Sequence, residues 1–191
     1  TDNRRQRQMC IRDRHYSIKG VSQRQMKIIG VVGWKNTGKT TLIEKLINEF
    51  NKRNLTVSSI KHSHHNFSVD REGTDSFRHF NAGTNETILA SEKKWVKFSR
   101  QMSDATPNLP YLSEQIIPVD IVILEGFKGC DHKKVEVVDS TSDRKPIYET
   151  DRTICGLVVN THKIQNAILP QFEREEVQEI CDFIVATLGV K

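Results

Sequence analysis

Residues 33–40 read Gly33-Trp34-Lys35-Asn36-Thr37-Gly38-Lys39-Thr40, a full match to G-x-x-x-x-G-K-[ST]. A loop of this spacing turns its backbone N–H groups inward, and a helix starting at its end adds a positive dipole end. The chemistry served is the holding of a polyphosphate, as in a P-loop. Lys39 is expected to reach the β- and γ-phosphates, and the Thr40 hydroxyl to bind Mg²⁺.

Such a site also needs an acid near the metal or the attacking water. Glu125 is the expected one, because it directly follows the apolar run Val119-Asp120-Ile121-Val122-Ile123-Leu124. Asp120 opens the same run. Five strand residues span about 17 Å, which puts Asp120 at the opposite edge of a sheet. A second polar cluster is Lys61-His62-Ser63-His64-His65, with Asp70 and Asp75 after it. Three histidines in four positions leave three readings open: contact with phosphate or substrate, loop polarity, and a transition-metal site. Asp70 is a candidate for the magnesium shell. Asn160-Thr161-His162-Lys163 stands where many GTP-binding proteins keep N-K-x-D, but does not match it. Asn160 can hydrogen-bond a base, and these residues leave guanine against adenine undecided. Trp34 is expected either to touch a ligand or to cover the loop.

These residues need elements to position them. Ile28 to Val32 reads as a buried strand before the glycine loop. After the loop, Leu42, Ile43, Leu46, Ile47 and Phe50 recur at helical spacing. Further strands are expected at 55–60, 86–90, 95–98, 119–124, 135–138 and 154–159. Helices are expected at 74–82, 109–117 and 172–188, the last with Val177, Ile180, Cys181, Ile184 and Leu188 on one face. Strands alternating with helices predict an α/β fold of P-loop NTPase type, a mostly parallel sheet with helices on both faces. Ligands bind beyond the carboxyl ends of such strands. The four strands ending in the glycine loop, Lys61, Glu125 and Asn160 should therefore converge.

The chain has 191 residues and a formal net charge of +5. Residues 1–27 hold eight Lys/Arg against Asp2 and Asp13; the other 164 residues hold 21 basic and 22 acidic groups. The basicity thus belongs to the leading segment, and the near-neutral remainder argues against nucleic-acid binding. Residues 1–26 are expected to be a disordered basic extension or an artefact, and residues 27–191 a single nucleotide-binding domain. No apolar run reaches the roughly 20 residues that cross a bilayer, and no secretory leader is expected. Cys10, Cys130, Cys155 and Cys181 are scattered, as expected of reduced thiols in a cytoplasmic protein.

Together, the glycine loop, Ile60-Lys61-His62-Ser63-His64-His65 with Asp70, Gly73-Thr74-Asp75-Ser76-Phe77-Arg78, Ala82-Gly83 and Leu124-Glu125-Gly126-Phe127-Lys128 resemble the MobB family of molybdopterin-guanine dinucleotide biosynthesis. The resemblance is collinear over roughly residues 27–188. It implies a GTP-binding adaptor with weak GTPase activity at most, assisting the guanylyltransferase MobA that joins GMP to molybdopterin. It further implies Mg²⁺, molybdopterin as a candidate second ligand, and a homodimer paired outside the nucleotide site. On the same resemblance Gly33, Asn36, Thr37, Gly38, Lys39, Thr40 and Thr41 would hold phosphates and magnesium. Glu125 would be the Walker-B-like acid, and Lys61, His62, His64 and Asp70 would line the mouth. A small-molecule kinase is the competing reading, with His64, Glu125 and Lys128 as its base and cations.

Overall fold

The computed structural model describes residues 26–63, 70–100, 108–160 and 162–190. The leading segment 1–25 and His64, His65 and Thr161 lie outside the described residues.

The chain opens with β1 (Lys27–Val32), the glycine loop and α1 (Lys39–Lys52). It continues through β2 (Val57–Lys61), α2 (Asp75–Asn81), β3 (Glu86–Ala90), β4 (Trp95–Ser99) and α3 (Leu109–Glu114). Then come β5 (Ile121–Glu125), β6 (Lys134–Val138), a 3₁₀ turn (Ile147–Glu149), β7 (Ile154–Val159), β8 (Gln171–Glu173) and α4 (Val177–Leu188). Six strands form one sheet in the order β2-β5-β1-β6-β7-β8, and every neighbouring pair is parallel.

Parallel strands covered on both faces read as continuous apolar runs, and successive side chains go to opposite faces. One face takes Ile29, Val31, Ile121, Ile123, Val135, Val137 and Val158, which pack with Leu42, Leu46 and Phe50 of α1 and Ile180, Cys181 and Ile184 of α4. The other face has shorter cover. Val122 and Leu124 meet Phe127 and α3 residues Leu109 and Leu112, while Val32, Val138 and Leu157 lie under Ile147, Tyr148, Ile164 and Leu169.

The expected helix over 172–188 is shorter than its periodicity suggested. Gln171–Glu173 instead pairs with β7, Leu157↔Gln171, Val158↔Phe172 and Val159↔Glu173. Pairing at the sheet edge satisfies this backbone, and Phe172 joins the core with its ring 5.2 Å from that of Phe183. Asp120 sits at the far edge as expected, where its carboxylate accepts from the Thr56 N–H (2.9 Å) and hydroxyl (2.7 Å).

β3 and β4 form a separate antiparallel hairpin. It exposes Ile88, Leu89 and Trp95, which are 61%, 52% and 63% accessible. Among the described residues no helix is long and apolar enough to cross a membrane.

His132 lies before β6, against Gly30 of β1. A Cβ on Gly30 would stand 2.5 Å from its Nε2. Both ring nitrogens are buried without a hydrogen-bond partner. Burial, reinforced by the Lys134 charge and only partly opposed by Asp151, pushes this imidazole down to about 4 from its usual 6.5. The folded state therefore prefers the neutral ring. Its stability contribution is complete above pH 6.5 and is lost as the pH falls from 6.5 towards 4. Urea titrations at pH 7 and pH 5 should show a smaller acid loss for His132→Phe than for the wild type; equal losses would remove His132 from the acid response.

Candidate nucleotide site

The glycine loop depends on backbone that few residues adopt. Gly33 has φ +147°, and a Cβ there would stand 2.5 Å from the Val137 carbonyl oxygen of β6. Asn36 (φ 66°) and Gly38 (φ 86°) are left-handed. Gly38 is the N-cap of α1, so Lys39, Thr40 and Thr41 form its first turn, where N–H groups lack intrahelical partners. Thr37 is buried and donates its hydroxyl to the Trp34 carbonyl at 3.0 Å. Lys39 Nζ donates to the same carbonyl at 2.6 Å, which folds the lysine back across the loop. Burial pushes the Lys39 ammonium below its usual range. Glu125 opposes this, while Lys128 and Lys61 add repulsion. A bound polyanion would relieve that repulsion.

Register brings the acid to the loop. Glu125 ends β5 beside Val31 of β1 on one side and Lys61 of β2 on the other. The Thr40 hydroxyl donates to Glu125 Oε1 at 3.2 Å, and Lys61 Nζ lies 3.0 Å from the same oxygen. Two neighbouring ligands of an octahedral Mg²⁺ at 2.0–2.1 Å lie about 2.9 Å apart. The two oxygens thus fit one hard cation with little movement, and the Lys61 ammonium balances the Glu125 carboxylate.

Of the other expected residues, His62 is tied to this centre and Asp70 has partners of its own. His62 follows Lys61; its N–H donates to the Glu125 carbonyl at 2.9 Å, and its ring packs 5.3 Å from that of Phe127. With Leu109, Pro110 and Cys130 these two rings line a groove of about 550 Å³. Asp70 Oδ1 accepts from the Arg71 N–H (2.8 Å) and the Thr74 hydroxyl (3.0 Å), in the approach to α2. His64 lies outside the described residues. Among the described residues no three His, Cys, Asp or Glu side chains gather as a metal cluster.

Trp34 bridges the two expected roles. It is 37% accessible, and its indole N–H donates to the Lys145 carbonyl at 3.0 Å. Lys128 Nζ stands 4.3 Å and the Arg144 guanidinium 5.4 Å from its ring, distances of cation–π contact. The Lys145 segment is held in turn by buried Glu136, whose carboxylate accepts the N–H groups of Ile147 (2.7 Å) and Tyr148 (2.8 Å). Burial pushes that carboxylate up, and the two backbone bonds hold it against the rise.

The sequence model of the family "Molybdopterin guanine dinucleotide synthesis protein B" (MobB) matches residues 28–160. The chain is also 36% identical over 162 residues to the molybdopterin-guanine dinucleotide biosynthesis adapter protein of Haemophilus influenzae, covering 84% of this chain and 88% of that protein. This chain belongs to the MobB family. The Escherichia coli protein of the same description is 29% identical over 161 residues, 83% of this chain and 91% of the relative. Among solved structures, Bacillus subtilis MobB superposes with a TM-score of 0.67 at 26% identity, over 85% of this chain and 98% of that one.

One MobB residue at this site escaped the sequence reading. Arg174, just after β8, donates through Nη2 to the Thr37 carbonyl and to Asn160 Oδ1. Its guanidinium lies on Gly38, where an added Cβ would stand 2.6 Å from Nη2. The rule that placed Glu125 and Asn160 would also have found Arg174, had Gln171–Glu173 been read as a strand. Trp34's cationic neighbour Arg144 carried no signal, since it follows no strand directly.

Proposed function

We infer that this chain is a nucleotide-binding adaptor in the making of molybdopterin-guanine dinucleotide. It would hold Mg·GTP on the glycine loop and assist the guanylyltransferase MobA, which joins GMP to molybdopterin. The observation that carries the nucleotide part is the meeting of Thr40, Glu125 and Lys61 on one carboxylate oxygen beside the loop. The adaptor part rests on relatives described as adapter proteins.

In this reading the loop N–H groups and Lys39 bind phosphates, and Thr40 and Glu125 hold magnesium, with Asp70 a further candidate for its shell. Magnesium would neutralise phosphate charge and fix its geometry. Lys61 would leave Glu125 for the ligand when the metal arrives. Hydrolysis would be weak, well under the roughly 1–100 s⁻¹ of kinases, because the protein's output is delivery. Molybdopterin would be a second ligand of the adaptor. A cytoplasmic location and a homodimer complete the reading. The exposed Ile88, Leu89 and Trp95 of the hairpin offer a self-pairing surface away from the loop. A monomer in sedimentation at micromolar concentration would remove the dimer.

Calorimetric titration of the full chain with GTP, with and without Mg²⁺, tests the site. Mg²⁺ should tighten GTP binding in the wild type. Glu125→Gln should keep affinity without metal within about threefold and lose most of the magnesium dependence. An unchanged magnesium response would take Glu125 out of the metal site. Acceptor-dependent turnover in the kinase range would replace the adaptor reading by the kinase one.

A further inference from the structure

The sheet order fixes which way a nucleotide must run. Glu125 and Lys61 lie on the β5–β2 side of the glycine loop, and Asn160 and Arg174 on the β7–β8 side. Lys39, Thr40 and Glu125 bind the magnesium-bearing end of a triphosphate in the reading above, on which this inference rests. The base then extends towards Asn160 and Arg174.

The chemistry of that corner is one-sided. A guanidinium carries only donors, so the Asn160 amide must face it with its oxygen. This leaves the amide's NH₂ as its remaining polar group. Arg174 Nε is buried with no hydrogen-bond partner, and Nη2 is shared between Thr37 and Asn160. The turn itself is braced: Glu176 accepts the Glu173 N–H at 2.8 Å, and Lys45 of α1 reaches Glu175 at 2.6 Å. What the two side chains have left to offer a ligand is N–H, from the Asn160 amide and from Arg174 Nη1, since Nε is buried and Nη2 is spent on Thr37 and Asn160.

Guanine presents two adjacent acceptors, O6 and N7, whereas adenine pairs its N7 acceptor with the N6 amino donor. A corner that offers donors fits the first and meets the second donor to donor. We propose that Arg174 and Asn160 together form the base-reading corner and select guanine through O6 and N7. The same guanidinium ties the base corner to the phosphate loop through the Thr37 carbonyl.

The test is calorimetry on the full chain with Mg²⁺ and four probes: GTP, ITP, ATP and inorganic tripolyphosphate. ITP keeps O6 and N7 but lacks the 2-amino group. Wild-type protein should bind GTP and ITP within about threefold of each other and ATP at least tenfold more weakly. Arg174→Met should cut the GTP-to-ATP preference by about tenfold or more, the scale of one good base contact, while tripolyphosphate affinity changes much less. Arg174→Lys, which keeps the charge but not the fork, should fall between. Asn160→Asp, which turns the remaining donor into an acceptor, should move preference towards ATP. Equal loss of GTP, ATP and tripolyphosphate in both Arg174 variants would make Arg174 a brace for the loop and overturn the proposal. So would ITP binding as weakly as ATP. Binding of tripolyphosphate and all nucleotides with equal affinity by the wild type would overturn the base corner alone. Failure to bind any of them would overturn the nucleotide reading beneath it.

Discussion

Lys39→Ala should weaken Mg·GTP binding by about 100-fold and change GMP binding by less than about fivefold. The lysine is poised at the start of α1 with its ammonium on the Trp34 carbonyl, 2.6 Å away. Its reach is to the outer phosphates, which GMP lacks. Truncating one partner of a desolvated, hydrogen-bonded charge pair costs roughly 2–5 kcal/mol, and each 1.4 kcal/mol is tenfold. Partial exposure of Lys39 favours the lower part of that range. The fold should survive, because the ammonium's partner is a carbonyl that Thr37 also serves. Parallel titrations with GTP and GMP decide it: equal losses for both would mean the lysine does not address the outer phosphates.

The second large effect is on stability. Gly33→Ala should cost about 3–5 kcal/mol and lower the melting temperature by about 10 °C. Two terms add. The backbone at φ +147° disfavours any side chain, and the new Cβ would press to 2.5 Å on the Val137 carbonyl. That oxygen belongs to a central strand and cannot give way as a side chain can. Gly73→Ala is the control. It has φ +88° with nothing within 4 Å of a Cβ, so it should cost only about 1–2 kcal/mol. Thermal unfolding of the two variants should separate them clearly. Similar shifts would show that the clash is absorbed and that only the dihedral matters.

The long, strongly patterned parts were the readable ones. The strand–loop–helix unit around Gly33–Thr40 carries both its motif and two periodicities, so β1 and α1 fall close to where the residues put them. Glu125 was legible for the same reason: an apolar run buried on both faces must end at an edge, and its first polar residue meets Thr40 of the glycine loop. Asp120 was excluded by strand length alone, and it sits with Thr56 at the opposite edge. Gln171–Glu173 was not legible, because three residues carry no period, and Phe172 fits a helix face as well as a strand edge. Missing that strand hid Arg174. Nor could the Trp34–Lys145–Glu136 connection be read. It joins residues roughly a hundred positions apart through a backbone carbonyl and a buried carboxylate, and neither leaves a local pattern.

The placement of the two tryptophans has an optical consequence. Trp34 lies within the phosphate loop between two cations, and Trp95 stands on the exposed hairpin, remote in sequence and in a different sheet. The chain therefore carries two intrinsic fluorophores, one in each surface assigned a task. A ligand that draws Lys128 or Arg144 away from the indole would alter the emission of the first. Burial of the hairpin against another chain would shift the second to the blue. Single Trp→Phe replacements would separate the two signals, so loading and assembly could be followed in one cuvette without a label.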